Sequence, residues 1–151
     1  MRLYFLRHGA ADWPDWPGAD DDRPLNAEGA RQARLIAEGL RRMHAIPDLI
    51  LTSPLLRAFQ TAGIVADELG VRQSDDPALA PGCTPKKLWH LLERHPLKNV
   101  MLVGHEPDFS HLIESLTGAR VKLAKTGVAL VDLETGKLLW LFPPKVLGTA
   151  S

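Results

Sequence analysis

The chain has 151 residues, of which 45% are hydrophobic, and its 18 basic and 18 acidic side chains cancel. This length and balance fit one globular domain over residues 1–151 and exclude a disordered or fibrous chain. Because the net charge is zero, no overall field attracts nucleic acid or an anionic membrane, and we expect any anion site to be local.

The first half of the chain alternates between short apolar runs and amphipathic segments. Residues 2–7 are apolar and aromatic without helical spacing, which predicts a buried strand near the centre of a sheet. Residues 10–24 are rich in Asp, Pro and Trp and predict a long loop. The next predicted elements are a helix capped by Asn26 that runs to about Met43, a strand over 48–52, a helix opened by Ser53-Pro54 and closed by Gly70, and a short strand over 71–74.

The second half repeats this alternation and closes with a hairpin. The predicted elements are an irregular loop over 75–85, a helix from Thr84 or Pro85 to His95, a strand over 99–103, a helix with Phe109, Leu112, Ile113 and Leu116 on one face and Gly118 at its end, and strands over 126–134 and 137–144. Alternating strands and helices predict an α/β three-layer sandwich with a mainly parallel central sheet, helices on both faces and an antiparallel edge.

Three of the predicted strands lead into residues suited to binding phosphate. The first strand runs into Arg7, His8 and Gly9, another ends just before His105, and a third leads into a helix whose first turn carries Arg57. Ligands of such sheets bind beyond the carboxyl ends of the strands. Guanidinium forks, imidazoles and a glycine that admits a ligand close to the backbone suit a phosphoryl group, so we expect these ends to converge on one anion site.

Four segments of the chain carry a family resemblance: "LRHG", "RPLNAEGARQA", "LTSPLLRAFQTA" and "VGHEP". In this order they resemble the histidine phosphatase superfamily, and the resemblance covers nearly the whole chain. The resemblance implies the phosphoglycerate-mutase-like fold and a phosphatase that works without a metal or cofactor.

The resemblance also implies a role for each matching residue. His8 corresponds to the nucleophile, which becomes a phosphohistidine before water releases phosphate. The catalytic set implied is His8, Arg7, Arg57 and His105, and the phosphate pocket contains Arg7, Gly9, Arg23, Arg57 and His105. His8 must be neutral to attack, whereas His105 acts best as a donor. We therefore expect the two rings to favour different protonation states and the rate to fall in acid within about pH 5 to 8.

The loop over 77–82 bears on the substrate. Larger members of the superfamily carry a glutamate general acid in this loop, and no carboxylate stands there in this chain. Asp21, Asp22, Asp75 and Asp76 are the candidate substitutes. A phosphoramidate leaves without a strong positioned acid, so the chain resembles short SixA-type phosphohistidine phosphatases, whose partners are histidine-containing phosphotransfer domains. A small-molecule phosphomonoesterase and a non-catalytic phosphate-binding module are the alternatives; the oligomeric state is left open.

Each of these residues also has a purely structural interpretation. His8 could be a buried histidine bonded to the backbone, Arg57 a surface residue of its helix, and Arg23 a loop charge paired with the aspartates at 20–22. Trp13 and Trp16 could form a docking patch for a partner or only hold their Pro-rich loop to the protein. His44, His90, His95 and His111 could suggest a zinc site, but the spacings 90 to 95 and 105 to 111 do not match the HExxH-type zinc motif.

The cysteine content and the lengths of the apolar runs indicate the cellular compartment of the protein. Cys83 is the only cysteine, which excludes an internal disulfide, and it lacks the spacing to an arginine found in cysteine phosphatases. The apolar run over 3–6 is shorter than the ~7 residues of a secretory signal core, and no later run approaches the ~18 residues of a membrane span. We expect a cytoplasmic protein that binds neither membranes nor nucleic acid.

Overall fold

The computed structural model describes residues 1–148. It contains six strands and five α-helices, and two short 3₁₀ turns lie at Asp20–Asp22 and Pro77–Leu79. The strands are β1 (Arg2–Arg7), β2 (Leu49–Thr52), β3 (Gln73–Asp75), β4 (Asn99–Gly104), β5 (Val128–Asp132) and β6 (Lys137–Phe142). The helices are α1 (Ala27–Arg42), α2 (Leu56–Leu69), α3 (Pro85–Glu93), α4 (Asp108–Thr117) and α5 (Lys145–Gly148). Within residues 1–148 no helix has both the length and the apolar character needed to cross a membrane.

All six strands form one sheet in the order β3-β2-β4-β1-β5-β6. The pairs β3–β2, β2–β4 and β4–β1 are parallel, whereas β1–β5 and β5–β6 are antiparallel. The predicted α/β architecture is confirmed, and β1 lies near the centre as expected. The sheet is more mixed than expected, because the antiparallel hairpin of β5 and β6 pairs directly with the central strand β1.

The side chains of β1 show why the sheet is covered on both faces. Leu3 and Phe5 pack into a core with α3 and α4, whereas Tyr4 and Leu6 pack into a second core with α1 and α2. Successive side chains of a strand point to opposite faces, so this near-continuous apolar run supplies both cores. Burial of each such side chain contributes about 1.5–3 kcal/mol to stability, which fixes β1 and the residues that follow it.

Helix boundaries follow the local signals in most places. The Asn26 side chain accepts the Gly29 amide proton at 2.8 Å and begins α1, as predicted. Gly70 and Gly118 adopt left-handed φ values of 67° and 78° and end α2 and α4. Met43, the predicted end of α1, follows the last helical residue Arg42 and is 44% exposed.

Two predicted boundaries were wrong. Helix α2 begins at Leu56 rather than at Ser53-Pro54, since the Ser53 hydroxyl bonds to the Leu55 amide and to His105 before the helix begins. Helix α3 ends at Glu93 rather than at His95. The residue before a proline disfavours helical backbone, so Pro96 ends the helix earlier than the apolar pattern suggests.

Candidate active site

The carboxyl ends of three neighbouring strands bring the predicted residues together. β4 lies between β1 and β2, so that His105, His8 and Ser53 each follow one of three adjacent strands. The ring centroids of His8 and His105 are 5.3 Å apart, and Ser53 Oγ lies 2.7 Å from His105 Nε2. The predicted convergence of the three strand ends is therefore found.

The orientation of His8 follows from one backbone contact. His8 Nδ1 lies 2.8 Å from the Gly9 carbonyl oxygen, which can only accept a hydrogen bond. The neutral ring therefore carries its proton on Nδ1, and Nε2 keeps a free lone pair. This tautomer is the one in which Nε2 can act as a nucleophile.

The turn after His8 is held by packing and by α2. The Gly9 amide donates to Thr61 Oγ1 at 3.0 Å, and the Thr61 hydroxyl donates to the Arg57 carbonyl at 2.7 Å. A side chain on Gly9 would meet Leu25, the Gly29 carbonyl and Thr126 at 3.0–3.1 Å. The protein's own packing therefore favours glycine at this position, and its N–H is already bonded to Thr61. Gly9 as a phosphate contact stays a prediction.

Within residues 1–148, each of the three predicted arginines has a buried Nε–H without a hydrogen-bond partner, although its Nη1 is bonded to a backbone carbonyl. Arg7 donates from Nη1 to the Leu123 carbonyl, Arg23 from Nη1 to the Ala11 carbonyl and Arg57 from Nη1 to the Asp20 carbonyl, at 2.8–3.0 Å. Their buried Nε atoms have no hydrogen-bond partner among the described residues. Buried donors are usually paired, and a ligand with several anionic oxygens is the kind of molecule that satisfies such donors.

Asp20 was foreseen only as a partner of Arg23. In the structure its carboxylate lies between two arginines, with Oδ1 at 3.0 Å from Arg23 Nη2 and Oδ2 at 3.4 Å from Arg57 Nη2. The Arg57 side chain is 8% exposed, so the interpretation of Arg57 as a surface residue of α2 was wrong. The run of three aspartates before Arg23 was the available signal, and sequence analysis did not connect it with α2.

The two histidines do not favour different protonation states, contrary to expectation. Burial lowers the pKa of His8 from 6.5 to about 4; the bond to Gly9 opposes the shift, while His105, Arg57 and Arg7 add to it. Burial and the charge of Arg57 lower the pKa of His105 to about 4 as well. Both rings are therefore neutral in the ligand-free protein near neutral pH. We expect the loss of activity caused by protonation of His8 to occur below about pH 5, rather than within about pH 5 to 8.

Two carboxylates bond to backbone amides of the loop over 77–82, one directly before the loop and one from α4. Asp108, at the start of α4, accepts the Gly82 amide at 2.8 Å and the Cys83 amide at 3.2 Å, and its charge raises the pKa of His105. Of the substitutes foreseen for the acid, Asp76 is bonded to the Ala78 amide and to Arg94. Asp21 lies close enough to His105 to raise the pKa of that ring. Asp108 was missed by sequence analysis because it lies 26 positions after Gly82.

The remaining candidates are a metal site, the Cys83 thiol and the two tryptophans of the first loop. Within residues 1–148 no group of three His, Cys, Asp or Glu side chains is placed to hold a metal ion. Burial raises the pKa of the Cys83 thiol to about 11, which makes it a poor nucleophile. The indole N–H groups of Trp13 and Trp16 donate to the carbonyls of Pro24 and Ala19, so both rings brace their own loop from within. The docking patch foreseen for them stays a prediction.

Comparisons with known proteins agree with the geometry. The model of the histidine phosphatase superfamily (branch 1) matches residues 3–80, which include three of the arginines above and His8. An uncharacterized protein of Picosynechococcus sp. is 41% identical over 145 residues, which cover 90% of this chain and 86% of that protein. Phosphohistidine phosphatase SixA of Escherichia coli is 30% identical over 155 residues, covering 95% and 94%. The structure of the protein histidine phosphatase SixA complexed with tungstate superposes with a TM-score of 0.83 at 28% identity, covering 97% of this chain and 99% of that one.

Proposed function

The chain belongs to the histidine phosphatase superfamily, and from this premise we propose that it hydrolyses phosphohistidine on a protein through a covalent phosphohistidine at His8. The partner would be a histidine-containing phosphotransfer domain or another phosphorylated histidine protein, in a signalling pathway of the cytoplasm. The cytoplasmic location rests on the single cysteine.

One observation carries the proposal: a neutral imidazole with a free Nε2 stands at the end of β1 beside arginines with unpaired donors. The Gly9 carbonyl keeps the proton of His8 on Nδ1. The Nε atoms of Arg7 and Arg57 have no partner among the described residues. A nucleophile and a set of anion donors in one place suit phosphoryl transfer, which is catalysed mainly by positioning and by charge.

The reaction would proceed in two in-line displacements. His8 Nε2 attacks phosphorus and a P–N bond forms on His8, while the P–N bond to the substrate histidine breaks and that ring leaves as neutral imidazole with a proton taken from solvent. Water then attacks the phosphorus of phosphorylated His8, the electron pair returns to Nε2, and orthophosphate leaves. The arginines would hold the equatorial oxygens, where negative charge is spread in the transition state.

The proposed preference for a phosphoramidate substrate over a phosphate ester depends on whether the site contains a general acid. An imidazole leaving group departs neutral once its ring is protonated, whereas an alkoxide needs a proton from a positioned acid. Both oxygens of Asp76 are engaged, Oδ1 by the Ala78 amide and Oδ2 by Arg94, so Asp76 has no free oxygen to offer a leaving group. Asp108 is held in place through Oδ2 by two backbone amides. The similarity to phosphohistidine phosphatase SixA supports the same substrate class.

A small-molecule phosphomonoesterase is the second candidate, and Asp21 is the observation that favours it. This exposed carboxylate belongs to the turn Asp20–Asp22 and acts on the pKa of His105. An ester substrate small enough to enter beside this turn could take its proton there. The non-catalytic alternative is weaker, because a phosphate-binding module has no need of the free Nε2 of His8.

The test is release of orthophosphate from a phosphorylated histidine carrier domain, with para-nitrophenyl phosphate as the parallel ester substrate. We expect release from the carrier and little from the ester, and loss of the activity in His8→Ala. His90→Ala is the matched control, since this exposed histidine of α3 lies outside the site. Activity on the ester alone would favour the phosphomonoesterase, and activity retained in His8→Ala would exclude the covalent route.

A further inference from the structure

The Asp20 side chain lies between two arginines of the predicted phosphate pocket. Its two carboxylate oxygens contact Arg23 Nη2 at 3.0 Å and Arg57 Nη2 at 3.4 Å. Both arginines come from different elements, one after the turn Asp20–Asp22 and one from α2. One carboxylate thus bridges the two cations in the ligand-free protein.

The two arginines are only partly satisfied by this carboxylate. The Arg57 side chain is 8% exposed, and the Nε atoms of Arg57 and Arg23 have no hydrogen-bond partner among the described residues. A buried cation requires a counter-charge, and a carboxylate provides one negative charge and two oxygens. A phosphoryl dianion carries more charge and three oxygens, which suits the unpaired donors better.

Asp20 itself is placed so that it can leave. Its side chain is 68% exposed, and water can solvate the carboxylate as soon as it turns away from the arginines. Ion pairs that involve an exposed carboxylate are weak, so release of Asp20 costs little.

We propose that the Asp20 carboxylate is an internal competitor of the phosphoryl group, which bridges Arg23 and Arg57 in the empty site and is displaced when substrate or orthophosphate binds. The inference rests on the proposed function, since it concerns the same phosphate pocket. Its consequence is that the site carries one positive charge less between turnovers and that orthophosphate, the product, is bound less tightly than the arginines alone would bind it.

The backbone, rather than the Asp20 carboxylate, holds the arginines in position. Arg57 Nη1 donates to the Asp20 carbonyl at 3.0 Å, and Arg23 Nη1 donates to the Ala11 carbonyl at 2.8 Å. Both contacts survive a change of the Asp20 side chain. Removal of the carboxylate should therefore free the two cations without disordering them, whereas a positioning role predicts weaker binding.

Calorimetric titration with orthophosphate at about pH 8 and constant ionic strength tests the proposal without any turnover. We expect Asp20→Asn and Asp20→Ser to bind orthophosphate roughly 3- to 10-fold more tightly than the wild type. The matched control is Asp22→Asn, which removes the same charge from the same turn but from a residue that pairs with neither arginine among the described contacts. This control should change the affinity less than twofold.

Three results would overturn the inference. Unchanged or weaker binding by the Asp20 variants would make Asp20 a positioning residue. An equal gain of affinity in Asp22→Asn would show that the effect comes from the total negative charge of the turn and not from the contacts of Asp20. Failure of every protein to bind orthophosphate would remove the competition altogether. If the Asp20 variants gain affinity but no protein hydrolyses phosphohistidine, the proposed substrate fails and the competition at the anion site stands.

Discussion

Thr61 holds the Gly9 amide in place from 52 positions further along the chain, with its hydroxyl oxygen 3.0 Å from Gly9 N. The same hydroxyl donates to the carbonyl of Arg57, so one buried side chain connects the turn after His8 with the first turn of α2. The nucleophile and the phosphate-binding arginine proposed above are therefore fixed relative to each other by a residue that need not touch the substrate.

This relationship predicts the behaviour of Thr61→Val. Valine fills the same volume but leaves the buried Gly9 N–H without a partner, which should cost about 1–3 kcal/mol in the free energy of unfolding. We also expect kcat to fall, because the His8-Gly9 turn loses its fixed distance from Arg57. Urea unfolding and phosphatase assays measure the two effects. Thr61→Ser keeps the hydroxyl and should retain most of kcat; equal losses of kcat in both variants would contradict the role of the hydrogen bond.

Direct titration of the histidines tests their neutral state. In the ligand-free protein the ring signals of His8 and His105 should titrate with midpoints near pH 4, because burial and the neighbouring arginines disfavour the charged rings. Since the rings lie 5.3 Å apart, the titration should show two coupled steps. Nuclear magnetic resonance of the ring protons measures both. Midpoints above pH 6 would contradict this account of the site.

Arg57→Gln should raise the pKa of both histidines. Arg57 lowers the pKa of each ring by its charge, so an uncharged glutamine allows protonation at higher pH. The same titration should therefore show both midpoints moved upward, together with a loss of phosphatase activity. Arg31→Gln serves as the control, since Arg31 is exposed on α1 and pairs with Glu28. A shift of equal size in the control would show that the site does not sense Arg57 specifically.

The depressed pKa values also predict how stability depends on pH. The folded pKa is about 4 and the unfolded value is 6.5, so the unfolded state binds more protons between these pH values. The contribution of these two neutral rings to the free energy of unfolding should therefore be fully present above pH 6.5 and decrease as the pH falls toward 4. The His105 ring, 4% exposed, contributes at most about 2 kcal/mol of this loss down to about pH 5. Urea unfolding at several pH values measures the slope, and stability that rises with acid in this window would refute the prediction.

Two helical glycines form a matched pair for a packing test. A Cβ on Gly29 would overlap the Ala10 carbonyl oxygen, whereas a Cβ on Gly63 meets nothing closer than 3.7 Å. Gly29→Ala must push the backbone after His8 away from α1 and should destabilise the protein by about 2–3 kcal/mol, with loss of activity. Gly63→Ala should stabilise it by about 0.5–1 kcal/mol, because alanine favours the helix. Thermal unfolding of both variants measures the two changes in stability. Equal stability of the two variants would contradict the close approach of Gly29 to the Ala10 backbone.

Local sequence signals determined the secondary-structure elements. The four segments "LRHG", "RPLNAEGARQA", "LTSPLLRAFQTA" and "VGHEP" determined the family. Apolar runs, the Asn26 cap and the closing glycines require only neighbouring residues, so they can be read along the chain. The convergence of His8, His105 and the helix of Arg57 was also predictable, because parallel strands end at one edge of the sheet.

Only the tertiary structure decided what those side chains meet. Thr61 beside Gly9, Asp108 beside the loop over 77–82 and Asp20 between two arginines are contacts between residues distant in the chain. The common neutral state of His8 and His105 has the same origin, because a pKa depends on burial and on charges brought close by folding. Sequence therefore specified which chemical groups the site contains, and folding specified how each group is charged and held.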